Sequence, residues 1–532
     1  MTYDVVIAGG GPNGLMLACE LRLAGVRPLV LEREREHGGR PIRAQGLVGR
    51  VVQLLDRRGL FARLADGRAT PVPMPYFNFG GLYLDLRRLD DNPLYLLPVA
   101  QPQFEQALER RALELGAEIR RGYEVLGFTQ DDRGVRVEAR GDGAVHVFEA
   151  EYLVGCDGSS STVRKQAGIG FPDTGDQDVV LRAADVVLPD SVLGGESGPT
   201  DLLQRDRWLE LPELGRVPFG MTRTAAGVFA IGIFKPGVHV VGVTEWGRSS
   251  VDQNIEMTLD ELRESIRRVL GADLPLGVPA GPGPHRLFRI CGNSRQADRY
   301  REGRVLLAGD AAHVHGAING PGLNLGLQDT VNLAWKLAGS VLGWAPPGLL
   351  DTYYAERHPV GERVLMSTQA QTALLAPGTD VTALRGVFGE LLESDHGVRT
   401  VARLMAGADV RYASGPLDLA DAHPLTGRWA PDLDLRTADG ESDGRVRLAE
   451  LLRNARPLLL DLSATATLAQ CAAGWKDRVD LVVAACGDQA VPARALLVRP
   501  DGYVAWATDS PDATAELDAL RTVLEYWFGP GS

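Results

Sequence analysis

The chain has 532 residues, of which 45% are hydrophobic, and a formal net charge of -13. That length accommodates about three domains with substantial cores, while the acidic balance excludes nucleic acid and anionic membrane as main partners. Runs near 20 residues that look apolar, such as Gly320 to Leu342 with its Asp329 and Lys336, are interrupted by charge, so no membrane span is expected.

In chain order, Asp4 to Ala8 is a short apolar run suited to a buried parallel strand, and it leads directly into Gly9-Gly10-Gly11-Pro12-Asn13-Gly14. This is G-x-G-x-x-G on Gly9, Gly11 and Gly14. A helix with apolar Leu15, Ala18, Leu21 and Leu23 follows, closed by Gly25, and a second strand, Pro28 to Leu31, ends on Glu32. The unit is βαβ with the marks of a dinucleotide site: glycines for a tight turn and close backbone approach, a helix N-terminus facing phosphates, and an acid for a ribose 2′-hydroxyl. A Gly-rich turn without ligand is the alternative, and an acid at position 32 disfavours a 2′-phosphate. Because the first strand begins at Tyr3, no cleaved signal peptide is expected and the location is read as cytoplasmic. The cysteines, Cys19, Cys156, Cys291, Cys471 and Cys486, are scattered and odd in number, which fits reduced thiols.

Between Gly38 and Leu60, Val48, Val51, Val52 and Leu55 recur at helical spacing. Arg43, Gln45 and Arg50 are candidates to clamp a pyrophosphate or hold a ring, with a solvated helix face as the alternative. Gln101 to Leu115 reads as an amphipathic helix, Gln101 at its start serving as a cap or a ligand contact. Strands are predicted at Ala117 to Arg121 and Val135 to Ala139, then a strand from Glu151 ending in Asp157-Gly158 and a polar loop to Arg164. That loop either presents Asp157 to a ligand or is a capped strand-to-helix turn.

From about 172 to 295 the pattern becomes sheet-rich, with strands at Val179 to Leu188, Val228 to Phe234 and Val238 to Glu245 and a helix near Leu259 to Leu270. Arg304 to His313 is again a buried strand, this time ending at Asp310. The helix from Leu323 starts just after Gly320-Pro321-Gly322, so its free N–H groups would stabilise an anion placed there. His313 and His315 are the nearest approach to a metal pair, but no further His or Cys lies nearby, so no metal site is expected; structural histidines are the favoured reading of both. Helices follow over Tyr353 to Leu375 and Val381 to Met405. Beyond His423 the composition shifts to Pro, Asp and Gly, and strands near 457–461, 479–486 and 495–498 with a final helix indicate a small α/β domain.

Three stations, GGGPNG with Glu32, CDGSSSTVR from Cys156, and RVLLAGDAAHVHGAINGPGLNLGLQD from Arg304, together resemble the single-component FAD-dependent aromatic hydroxylases, the group that includes para-hydroxybenzoate hydroxylase. The branch acting on aromatic polyketides and rifamycin-like antibiotics is the nearest in pattern. The resemblance implies an α/β architecture: a Rossmann-like FAD-binding domain (1–171 and 296–410), an inserted β-sheet substrate domain (172–295), and a C-terminal thioredoxin-like domain (423–532). It also implies that Gly9, Gly11, Pro12, Asn13 and Gly14 bind the pyrophosphate region, Glu32 and Arg33 the adenosine ribose side, and Val125 the adenine. Arg43 and Gln101 would reach the ribityl and phosphate region, Asp157 would serve both FAD and NAD(P)H, and Asp310 the ribityl chain. Gly322, Leu323 and Asn324 would meet the isoalloxazine.

By the same resemblance the cofactor is FAD, with NAD(P)H and O₂ as co-substrates, and the reaction is hydroxylation of a polycyclic aromatic molecule through a flavin C4a-hydroperoxide. No side chain is assigned as a general base. Rival readings are a Baeyer-Villiger enzyme of the same fold, a plain NAD-dependent dehydrogenase and a non-enzymatic scaffold. Two departures stand out. Gly316-Ala317-Ile318-Asn319 replaces the family's usual proline and glycines beside the flavin, predicting a looser turn, and the C-terminal domain lacks the cysteine pair of disulfide chemistry. Only four of the 56 basic residues are lysine, an arginine bias that points to GC-rich coding and specialised metabolism.

Overall fold

A computed structural model describes residues 3–36, 46–195, 206–247, 255–280, 285–316, 321–413, 415–437, 444–463, 467–487, 491–510 and 513–532. Val5, Val6 and Ile7 carry no exposed surface, and the strand they form, β1 (Tyr3–Ala8), has parallel neighbours on both edges. From it the chain runs through α1 (Pro12–Leu23) into β2 (Pro28–Glu32), with Ile7 opposite Val30. Next come β3 (Gly46–Val48) and α2 (Arg50–Asp56). Val48 is therefore in a strand, not in the helix its spacing predicts, because β3 pairs with the distant β4 (Leu96–Pro98).

α3 (Gln101–Glu114) leads to β5 (Glu118–Arg121), which lies parallel to β2. β6 (Glu124–Gln130), β7 (Val135–Gly141) and β8 (Ala144–Gly155) form an antiparallel meander, and the end of β8 returns parallel to β1. Sequence periodicity reveals β5, β7 and the end of β8 but not β6 or the first half of β8. Those stretches are half-exposed and β6 carries an irregularity between Val125 and Gly127, so alternation is diluted. The turn joining β7 to β8 is Asp142-Gly143 with φ of 49° and 79°, the two-residue hairpin geometry that this dipeptide favours. α4 (Thr162–Gln166) follows.

A second sheet is built from β9 (Asp173–Val186), β10 (Gly220–Arg223), β11 (Val228–Lys235), β12 (Val238–Trp246) and, after the helix α5 (Leu259–Leu270), β13 (Leu287–Gln296). Its order begins β10-β11-β12-β9-β13. Ala184, Val186, Phe229, Ile231, Val241 and Val243 pack against Leu262, Ile266 and Val269 of α5 in one core. α5 has its predicted span because Thr258 caps it and Gly271, at φ 79°, ends it.

β14 (Arg301–Glu302) and β15 (Val305–Leu307) then complete the first sheet, whose order is β14-β15-β8-β1-β2-β5. β16 (His313–Val314) pairs with β13, so the second sheet takes its last strand from beyond residue 295. The helices α6 (Pro321–Val341), α7 (Thr352–Leu375), α8 (Thr379–Leu391) and α9 (Asp395–Ala406) follow. Periodicity over Val381 to Met405 predicts one helix, whereas the structure has two: the Ser394 hydroxyl accepts from the Gly397 N–H at 3.0 Å and starts α9 afresh.

The last unit is a mixed sheet of β17 (Asp434–Thr437), β18 (Arg445–Arg447), β19 (Leu458–Asp461), β20 (Asp480–Cys486), β21 (Ala495–Val498) and β22 (Val504–Thr508), in the order β18-β17-β20-β19-β21-β22. α10 (Ala513–Phe528) packs Trp527 and Phe528 against Trp335 of α6. This unit is bolted to the first by buried cations. Arg58 pairs with Glu20 at 2.7 Å and donates to the carbonyls of Leu452 and Pro500; Arg499 pairs with Glu356 at 2.6 Å, which also receives Lys336 at 2.7 Å. All five cysteines are free thiols. Among the described residues no helix is long and apolar enough to cross a membrane.

Candidate functional site

The turn between β1 and α1 is shaped by what its glycines can and cannot accommodate. Gly9 has φ 105°, and a Cβ there would lie 2.3 Å from the Cys156 carbonyl oxygen; a Cβ on Gly14 would lie 2.0 Å from the Gly9 oxygen. Gly11 differs, since nothing stands within 4 Å of its absent Cβ. The first and third glycines thus serve packing, and the second faces open space at the start of a helix that begins with Pro12. Below the turn, Glu32 is buried and accepts from the N–H groups of Gly10 at 2.7 Å and Glu34 at 2.9 Å. The carboxylate holds the loop while remaining at its edge. Arg33 is exposed beside Glu34, and the Tyr123 N–H bonds the Glu32 carbonyl, which brings Val125 on β6 close to the same edge.

The other two stations converge on this turn. Asn13 projects between Gly309 and Gly326, where added Cβ atoms would lie 1.8 Å and 2.5 Å from its amide nitrogen. Asp157 caps α4, accepting from the N–H groups of Thr162 at 2.7 Å and Val163 at 3.1 Å, while its Oδ1 is sealed without a partner. One oxygen of this carboxylate therefore caps the turn, and the other is uncommitted among the described residues. Arg164, stacked on Phe171, donates to the Ala311 carbonyl at 2.8 Å and fixes the Asp157 loop to the Asp310 turn. A Cβ on Gly322 would stand 3.7 Å from Oδ1 of Asp310 and 3.5 Å from the His315 ring, so Asp310, His315 and the first turn of α6 form one cluster. Asn324, two residues on, accepts from the Val48 N–H at 2.8 Å and ties that turn to β3, with Leu323 packed beside it. Gln101 does not cap α3; its amide donates to Glu105 at 2.8 Å. Arg43, Gln45 and residues 317–319 of the altered turn lie outside the described residues.

The two histidines separate. His313 Nε2 meets Asp329 Oδ2 at 2.5 Å, and Arg357 donates to the other Asp329 oxygen at 2.7 Å and to the Tyr412 hydroxyl at 2.8 Å. Burial pushes the Asp329 carboxyl up, but Arg357 and His313 outweigh it and hold the group below the usual carboxylate range. His313 is thus a structural residue in a relay that periodicity could not show, although two buried charges side by side at Glu356 and Arg357 of a helix were a usable signal. His315 departs from the reading as a satisfied structural histidine: among the described residues neither ring nitrogen has a partner, and both are sealed from solvent. Burial first, and the neighbouring His313 second, push it down to about 3.

That depression has a sign. Between an ordinary value near 6.5 and about 3, the unfolded chain binds a proton at this position that the folded chain refuses. Stability should therefore fall as pH drops from 6.5 towards 3, by up to about 1.4 kcal/mol per unit from this group. His315→Gln is expected to flatten the decline in denaturation free energy between pH 7 and pH 4.5. Parallel profiles for the two proteins would mean the ring is not held neutral.

A second surface adjoins this cluster. Residues alternating with the α5-facing set point to the opposite face of the second sheet, where Met221, Ala230, Gly242, Ala183 and Phe288 lie in one cross-strand row. Three of the five are Gly or Ala, and the nearest atoms to a Cβ on Gly242 would be at 3.7 Å, so packing does not demand its smallness. The row offers a flat, roomy floor. β13 carries it towards Arg295 and Gln296, which pair with β16, and the Gly316 N–H reaches the Ser294 hydroxyl at 3.4 Å. The row and the Asp310 cluster are thus connected through the pairing of β13 with β16. Among the described residues no group of three metal-ligating side chains occurs.

A family model described as an FAD binding domain matches residues 2–368, and one described as aromatic-ring hydroxylase, C-terminal, matches residues 423–531. The chain is 43% identical to the 12-dehydrotetracycline 5-monooxygenase/anhydrotetracycline 6-monooxygenase of Streptomyces rimosus, with 100% of this chain and 99% of the relative covered. It is 40% identical to the rifampicin monooxygenase of Streptomyces venezuelae, with 99% of each covered. Among solved structures, the anhydrotetracycline hydroxylase from Streptomyces rimosus superposes with a TM-score of 0.84 at 41% identity and covers 100% of both chains.

Proposed function

The chain belongs to the FAD-binding aromatic-ring hydroxylases, and from that premise we propose that it is a cytoplasmic, NAD(P)H-consuming monooxygenase that hydroxylates a flat polycyclic aromatic substrate of polyketide type. The observation that carries this reading is the convergence of the Gly11 opening, Asp310 and the first turn of α6 on one cradle. In it, Gly11, Pro12 and Asn13 take the pyrophosphate on the turn that Gly9 and Gly14 shape, Glu32 and Arg33 the ribose side, and Val125 the adenine edge. Asp310 and Gln101 serve the ribityl side, Asp157 serves both FAD and NAD(P)H, and Gly322, Leu323 and Asn324 turn their N–H groups to the ring. Bound there, FAD supplies the redox chemistry, taking electrons from NAD(P)H and activating O₂.

The chain supplies placement. The start of α6 is a fixed positive end that favours negative charge on a ring lying over it, at no reorganisation cost during the reaction. The Ala230, Gly242 and Ala183 floor lets a planar substrate lie flat without polar competition for its position.

Product structures after incubation with NAD(P)H and a panel of aromatic polyketides, anhydrotetracycline included, test the reading. A new hydroxyl on an intact ring system supports it, a ring-opened or ring-expanded ester selects the Baeyer-Villiger alternative, and no oxygenated product from any member sinks both. Asp310→Ala is expected to purify paler, because each charge-assisted bond from a ribityl hydroxyl is worth about 1.5–3 kcal/mol. Stoichiometric FAD after extensive dialysis of the variant would remove Asp310 from the cofactor site.

A further inference from the structure

Arg50, a candidate phosphate clamp by sequence, lines a cleft of about 640 Å³ between the first unit and the segment that enters the C-terminal sheet. Gln53, Tyr95, Arg403, Arg428 and Trp429 share its wall. The acids in that wall are mostly committed: Asp91 is bridged by Arg399 at 2.8 Å and Arg403 at 2.7 Å, and Asp432 by Arg447 at 3.1 Å and the Ala449 N–H at 2.9 Å. Asp90 is exposed, and Arg87 is occupied by Asp85 at 2.7 Å.

The donors are not matched. Arg50 reaches Gln53 at 2.7 Å through one nitrogen, and its Nε is sealed without an acceptor among the described residues. The Arg428 guanidinium has no acceptor among the described residues, and the charges bearing on it are those of Arg411 and Arg403, both positive. Trp429 is braced by Arg57 at 4.1 Å and Arg50 at 5.7 Å, and its Nε1 also lacks a partner among the described residues. In a protein of net charge -13 this is a local excess of cationic donors.

We propose that the cleft binds a phosphate-bearing small molecule, held by the guanidinium groups of Arg50 and Arg428 with Arg403 beside them, which joins the first unit to the C-terminal unit when bound. A phosphate suits it because its oxygens accept forked guanidinium donors from several directions, whereas a carboxylate offers two oxygens in one plane. Burial, and for both groups the proximity of Arg403, lower the affinity of Arg50 and Arg428 for their protons, a tension that a bound anion relieves. The cleft is separate from the cradle assigned to FAD, and its occupancy does not depend on the hydroxylase reading.

Calorimetric titration of the FAD-loaded protein with inorganic pyrophosphate and with AMP, at chloride-matched ionic strength, tests the proposal. The wild type is expected to bind pyrophosphate with a Kd below about 1 mM and to melt higher in its presence, and Arg428→Gln and Arg50→Gln each to weaken binding by about tenfold or more. AMP binding tighter than pyrophosphate would assign a nucleotide as the source, and weaker binding an inorganic or terminal phosphate; both require loss in the variants. Flavin absorbance reports whether each variant is folded, and Arg50→Gln stands in if Arg428→Gln fails. No binding of either probe to the wild type at 10-fold above that limit, or equal binding by the folded variants, overturns the site.

Discussion

Gly14→Ala is expected to abolish folded, flavin-bearing protein, whereas Gly11→Ala three residues earlier should fold and lose FAD affinity instead. At Gly14 a Cβ would stand 2.0 Å from a backbone oxygen of its own turn and 3.3 Å from Ile7, and neither strand nor helix can retreat without breaking the parallel core. Overpacking usually costs about 1–3 kcal/mol, and a clash with backbone exceeds that range. At Gly11 the φ of -76° is open to alanine and nothing lies within 4 Å, so the methyl enters only the space assigned to the pyrophosphate. Circular dichroism and FAD titration on both variants distinguish the two positions. A Gly11→Ala protein with unchanged FAD affinity would contradict the use of that opening.

Arg499→Met is expected to cost about 3–5 kcal/mol in urea denaturation, because it leaves a buried carboxylate short of its main partner. Glu356 is buried and receives Arg499 through both oxygens, Lys336 at 2.7 Å and Asn332 at 2.7 Å. Burial pushes its carboxyl up, yet Arg499 and Lys336 outweigh that and hold it down to about 2. The stabilisation is accordingly present above an ordinary value near 4.5 and lost as pH falls towards 2. Since Arg499 belongs to the C-terminal unit and Glu356 to α7, early proteolysis in the connection around residues 407–432 should accompany the loss. Adding Glu356→Gln to Arg499→Met should recover part of the stability, the mark of a coupled pair. A single-variant cost below about 1 kcal/mol would place the attachment of the two units elsewhere.

What the sequence discloses here depends on distance along the chain. The Gly9 to Glu32 unit is legible because strand, turn, helix and acid follow one another within thirty residues, and α5 because Thr258 and Gly271 mark its ends. The pairing of β3 with the distant β4 makes Val48, an expected helical residue, part of a strand, and the bond from its N–H to Asn324 spans 276 positions. Periodicity cannot report such a partner. The difference between His313 and His315 likewise depends on Asp329 and Arg357, which arrive from two separate helices. Arg50 looks like a clamp for the nearest phosphate loop, but α2 turns it into a different cleft with Trp429. The motif stations themselves were legible in type, and their convergence on one cradle was legible only through the family resemblance.

The most direct measurement is the fate of isotope-labelled O₂ during turnover of an accepted aromatic substrate by the FAD-loaded protein with NAD(P)H. The account predicts one labelled oxygen per product molecule, formed in proportion to the NAD(P)H consumed, with NAD(P)H oxidation accelerated by substrate. Product that carries no label from O₂, or that forms at the same rate without NAD(P)H, would contradict it.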